Sequence, residues 1–111
     1  MLDINIEFVK GILFVRLDGK LNMCNTKEIE TNIKEIITLG GIKYLVFNIS
    51  GSILEERIDL FDECNNLIKN NNGKMFICGL KSKIESIVSE NYEVCDKVKN
   101  ELSVFKKVNI C

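Results

Sequence analysis

Residues 43–59 read KYLVFNISGSILEERID, and their interpretation decides the fold. KYLVFNI is apolar apart from Lys43 and Asn48, the pattern of a central strand covered on both faces. Ser50-Gly51-Ser52 then reads as a turn. Ser52-Ile53-Leu54-Glu55 has the spacing of a capping box, in which a serine and a glutamate three residues apart satisfy each other's backbone amides at a helix start. Ile58, Phe61, Cys64, Leu67 and Ile68 continue at helical spacing, and Asn70-Asn71-Asn72-Gly73 closes the segment. A buried strand feeding an amphipathic helix is half of a βαβ unit, so a parallel sheet is expected.

Upstream, Leu2, Ile4, Ile6 and Phe8 alternate with polar residues, which predicts a half-buried strand. Lys10-Gly11 turns the chain into a second strand, ILFVRLD at 12–18, to make an antiparallel hairpin. Ile29, Ile33, Ile36 and Ile37 mark a first helix, with Asn25 as its expected cap and Gly40-Gly41 as its end.

Downstream, MFICG at 75–79 reads as another buried strand, and Ser82-Lys83-Ile84-Glu85 opens a third helix. A last strand is expected near Tyr92–Lys97. A terminal helix from about Glu101 follows, capped by Asn100, with Leu102, Val104, Phe105 and Val108 facing the sheet. One long helix from Ser82 to about Lys107 is the alternative, but EVCDKVKNE interrupts its apolar stripe. The order predicts a single α/β domain over 1–111, with a five-stranded, mostly parallel sheet and about four helices.

Charge and composition narrow the chemistry. The 15 basic and 16 acidic residues nearly cancel, and no basic stripe is available to neutralise a phosphate backbone, so nucleic acid is not an expected partner. No apolar run approaches the roughly 20 residues that span a bilayer, and the acidic MLDINIEF start is unlike a signal peptide; a cytoplasmic protein is expected. The chain has no histidine, which removes the usual base near neutral pH and a mixed Cys/His metal site. Cys24, Cys64, Cys78, Cys95 and Cys111 form no CxxC pair and read as reduced thiols. Neither a metal nor a cofactor is expected.

LDGKLNMCNT (17–26), KYLVFNIS (43–50), NNGKMFICGL (71–80) and NELSVFKKV (100–108), in this order and spacing, resemble the STAS domain of bacterial anti-sigma factor antagonists. The likeness covers essentially the whole chain. Gly19-Lys20-Leu21-Asn22 matches a family G-x-L-D segment, with asparagine in place of the aspartate. The resemblance implies a non-enzymatic module in transcription regulation, whose partner is an anti-sigma factor or related serine-kinase-like protein. Family members carry Asp-Ser-Ser-Gly at the start of the second helix, with the first serine phosphorylated by that partner. Counted back from Gly73, those positions fall here on Leu54, Glu55, Glu56 and Arg57, which places Glu55 where the phosphoserine would be.

A glutamate carries one negative charge against the −1.5 to −2 of a phosphoserine, so Glu55 is either a partial mimic of the modified state or only a helix cap. Ser50 and Ser52 are candidate displaced phosphoacceptors. The partner-facing surface implied by the resemblance is Asn22, Met23, Cys24 and Asn25, together with Ser50, Gly51, Ser52, Glu55, Glu56 and Arg57, because both loops follow the carboxyl ends of parallel strands.

Two competing readings use the same loops. Ser50-Gly51-Ser52 before a helix is a weak phosphate cradle, as in a small-ligand or nucleotide module, although Glu55 and Glu56 would repel the anion. As acid and base, those two would point about 100° apart on a helix. Cys24 near a helix start is the one candidate for thiol chemistry.

Overall fold

The structure, a computed structural model, describes residues 2–56, 58–79, 96–98 and 100–107. Five strands form one sheet in sequential order: β1 (Asp3–Val9), β2 (Ile12–Leu21), β3 (Tyr44–Leu54), β4 (Lys74–Cys78) and β5 (Asp96–Val98). β1 and β2 are antiparallel, and every later pair is parallel. The helices are α1 (Met23–Gly40), α2 (Leu60–Asn70) and α3 (Glu101–Lys107). The expected helix at Ser82, the first part of the last strand and Val108 lie outside the described residues. β5 rules out a single helix from Ser82 to Lys107.

Alternation along the central strands splits the core in two. Leu13, Val15 and Leu17 of β2, Leu45, Phe47 and Ile49 of β3, and Met75 and Ile77 of β4 meet Ile29, Ile33 and Ile37 of α1 and Leu60, Phe61, Cys64 and Ile68 of α2. Phe47 and Phe61 pack edge to face at 5.0 Å, an arrangement that the ring quadrupoles favour. On the opposite face Ile12, Phe14, Val46, Phe76 and Cys78 are covered by Val104, with Phe105 packed alongside. Each strand therefore spends alternate residues on two separate cores.

Several expectations need correction. β1 is not half-buried: Ile4, Ile6 and Phe8 are 45, 43 and 60% exposed, because α1 and α2 cover β2 to β4 and leave the sheet edge open. Ile36 and Leu102 are also exposed rather than packed on the sheet. α1 is capped by Asn22 rather than Asn25. Asn22 and Asn25 form a reciprocal box, each side-chain oxygen accepting from the other's backbone N–H at 3.0 Å. Gly41 closes α1 in the left-handed conformation, as the Gly-Gly pair predicts. Asn100 accepts from the Ser103 N–H at 3.1 Å, the expected cap of α3.

The largest departure is at the decisive stretch. β3 does not stop at Ile49 but runs to Leu54, and α2 begins only at Leu60. β2 is likewise longer than expected, and its extension Asp18–Leu21 pairs with Gly51–Leu54. Between Arg16 and Asp18 the register shifts, so that β3 carries one extra residue, a β-bulge. Gly51 follows from this geometry: a Cβ there would lie 2.9 Å from the Asp18 carboxyl. The glycine thus serves close approach within a ladder, not a turn into a helix.

Candidate functional site

The overlong β2–β3 ladder decides what sits at the carboxyl end of the sheet. Ser52 is fully buried, and its Oγ donates to the Leu17 carbonyl at 2.7 Å. The Ser52/Glu55 capping box is therefore absent, and so is the strand-to-helix turn of the phosphate-cradle reading. The ladder even continues one step past β3, where the Glu55 N–H donates to the Leu21 carbonyl at 3.0 Å.

This lands Glu55 and Glu56 beside the start of α1, not at the start of α2. The Asn22 side-chain amide donates to Glu55 Oε1 at 2.9 Å, and the Met23 N–H donates to Glu56 Oε2 at 2.9 Å. The two carboxylates are not splayed by a helical turn but converge on one helix terminus. Carboxylates there meet unpaired amides and the positive end of the helix dipole. Asn22 is the hinge of the cluster, since its oxygen caps α1 while its NH2 holds Glu55.

The other residues expected here divide by burial. Cys24 is exposed on the first turn of α1, whereas Met23 is half-buried against the core. Asn25 fixes the incoming strand by donating to the Lys20 carbonyl at 2.7 Å. Ser50 is exposed, and both its N–H and its Oγ donate to Asn48 Oδ1, at 3.0 and 2.8 Å. Arg57 lies outside the described residues. Of the two candidate serines, only Ser50 has an exposed side chain; phosphorylating Ser52 would require opening the β2–β3 ladder. Ile53, 57% exposed between these polar groups, was not foreseen, because inside a helix start it would have faced the core.

A second polar cluster, also unforeseen, lies on the opposite face. Arg16 donates through Nε and Nη2 to the two oxygens of Glu101, both at 2.8 Å, in a bidentate fork. Its Nη1 donates to Asn5 Oδ1 at 2.7 Å and Glu7 Oε1 at 2.9 Å, and Asn48 Nδ2 donates to Glu101 at 2.8 Å. The hydrogen bonds from Arg16 hold the Glu101 carboxyl below the usual carboxylate range against the opposing effect of burial. The only sequence signals were an arginine and an asparagine inside otherwise apolar strands, which need partners once buried.

A cavity of about 240 Å³ opens beside the Arg16 cluster, lined by Asp3, Asn5, Arg16, Asp18, Asn48 and Ser50. Among the described residues that line it the one cation, Arg16, is already engaged by Glu101 and Glu7, and two aspartates stand beside it, so this lining does not favour an anionic ligand. Among the described residues no group of acidic or cysteine side chains could hold a metal ion, and no helix is long and apolar enough to cross a membrane. Burial pushes the thiols of Cys64 and Cys78 up to about 12, which leaves them inert at neutral pH.

The STAS domain profile matches residues 3–109, nearly the full chain. The chain belongs to the STAS domain family. Solved structures with the same fold include a candidate anti-sigma factor antagonist of Thermotoga maritima, at 13% identity and TM-score 0.83, covering 96% of this chain and 94% of that one. The Bacillus cell fate determinant SpoIIAA in its phosphorylated form matches at 13% identity and TM-score 0.74, covering 96% and 99%. The anti-sigma factor antagonist SpoIIAA in its unphosphorylated form matches at 13% identity and TM-score 0.70, covering 96% and 98%. The five-stranded α/β architecture expected from the sequence is thus that of the STAS fold.

Proposed function

We propose that this STAS domain is a non-enzymatic, intracellular regulatory module that docks an anti-sigma factor or related serine-kinase-like protein through the loop end built by Asn22–Asn25 and 50–57. In this reading its charge state there is fixed rather than switched. One observation carries the proposal. The two departures from the family pattern, asparagine for aspartate at 22 and glutamate for serine at 55, touch each other at 2.9 Å.

Their chemistry is matched. An aspartate at 22 would face the Glu55 carboxylate as a like charge, whereas the asparagine amide donates to it. With Glu56 on the neighbouring amide, the cluster holds about two negative charges at one helix start, close to the −1.5 to −2 of a phosphoserine. The domain would then rest permanently in a state resembling the phosphorylated form, docking its partner only weakly until that charge is removed. The exposed Ile53 and Cys24 supply apolar contact area on the same surface.

The test is binding to an anti-sigma kinase encoded beside this gene or, failing one, elsewhere in the same genome. Glu55→Ser, alone and with Asn22→Asp, should raise retention of that protein in a pull-down by about tenfold or more, as expected when like charge is removed from an interface. A folded variant that gains nothing would sink the fixed-charge reading.

A further inference from the structure

Among the described residues β1 is an edge strand, and apart from the carboxylates of Asp3 and Glu7 it lacks the devices that usually protect one. Residues 3–9, DINIEFV, contain no proline and no lysine, and their pairing with β2 is unbroken by a bulge. Glu7, a charge that could repel an incoming strand, is neutralised by Arg16 at 2.9 Å. An apolar row runs along this edge, with Ile4, Ile6 and Phe8 all substantially exposed.

Helix α1 flanks that row. Asn25, Glu28, Ile29 and Asn32 line a cavity together with Leu2 and Ile4 of the β1 end. Ile36 and Leu39, four and seven residues beyond Asn32, follow on the same side of the helix, and they are 36 and 80% exposed. Five of the seven exposed large apolar side chains among the described residues therefore belong to β1 and α1.

The hydrogen-bonding phase of the edge fixes which of its residues can pair outward. Lys10 and Gly11, both at positive φ, make a two-residue turn flanked by the Val9↔Ile12 pair. In such a hairpin the flanking pair is hydrogen-bonded and bonded pairs alternate, so Asp3, Asn5, Glu7 and Val9 face β2. Ile4, Ile6 and Phe8 then direct their N–H and C=O groups outward.

We infer that β1 pairs antiparallel with β1 of a second copy of this chain about a two-fold axis at Ile6. Ile6 meets its own equivalent, and Ile4 meets Phe8 of the partner copy in both directions. All three outward-facing residues fall on bonded pairs, giving about six inter-chain hydrogen bonds. On the same arrangement the apolar row continues unbroken from one copy to the next. On the other face Asn5 lies opposite Glu7 of the partner copy, so no like charges meet. Registers centred on Ile4 or Phe8 would pair fewer residues, and the result at Ile6 is one sheet of ten strands.

Sedimentation velocity over a concentration series tests this on the full chain. A dimer is expected, lost in Ile6→Lys, which sets two ammonium groups on the axis. Because that change could disturb folding, Asn5→Asp is the decisive variant. The carboxylate still accepts from Arg16 within the chain but faces Glu7 of the partner copy, at two symmetric places. Dimer dissociation should rise about 3- to 10-fold while the far-ultraviolet circular dichroism spectrum stays unchanged. A wild-type chain that stays monomeric at 200 µM, or a dimer indifferent to both substitutions, would overturn the inference.

Discussion

Two polar clusters flank the β2–β3 ladder and differ in what holds them. On one face the Arg16 fork joins residues 85 positions apart, tying β2 to α3, and Asn48 of β3 supports it. At the carboxyl end, Glu55 and Glu56 are exposed, and their carboxylates accept from Asn22 and Met23 at the start of α1. The first cluster is satisfied within the chain and closes the fold. The second leaves its charge turned to solvent. Partial burial thus lets the first cluster contribute to stability, whereas the slight burial of the second leaves its charges little stabilising effect.

The comparison is broken most severely by Arg16→Ala. It removes a bidentate, half-buried charge-assisted pair and leaves Glu101, Glu7 and Asn5 with fewer partners, so unfolding free energy should fall by about 1–3 kcal/mol in urea titration. The same pair predicts an acid limb. Glu101 has a folded pKa below its unfolded value, so its contribution is present above the unfolded pKa and lost as pH falls through the folded one. Glu101→Gln should lower stability at pH 7 and flatten the decline below about pH 4.5.

Next in size is Asn22→Ala, which deletes the α1 cap and the hold on Glu55 together. A loss of about 1 kcal/mol is expected from the cap. Protection of the Asn25 amide, which donates to the Asn22 side chain, should drop in hydrogen exchange. An unchanged exchange rate would show that the exposed cluster is held by something other than Asn22.

How much of this was legible depends on the range of the deciding interaction. The apolar spacing of Ile29, Ile33 and Ile37, and of Phe61, Cys64 and Ile68, found both helices because one face of each meets the sheet. Ser52-Ile53-Leu54-Glu55 misled because it satisfies a local capping rule, whereas the winning interaction, pairing of 51–54 with 18–21, is non-local. The Arg16–Glu101 fork leaves only a charged residue inside an apolar strand as its local trace, and nothing near Arg16 names a partner 85 residues away. β1 shows the converse failure: its alternation is real, but which strand a helix covers is a property of the packed whole.

The smallest expected effect discriminates most sharply between the clusters. Asn22→Asp preserves a good N-cap, since a carboxylate accepts from the Asn25 amide and suits the helix dipole. It changes only the partner offered to Glu55, from a donor to a like charge. At this exposure the cost should be about 0.2–1 kcal/mol, and high salt should shrink it. In the Asn22→Asp, Glu55→Ser double variant the penalty should vanish, so the two changes are non-additive by that amount in a double-mutant cycle. Additivity would mean that the 2.9 Å contact carries no energy. Asn22 and Glu55 would then be energetically independent instead of a matched pair.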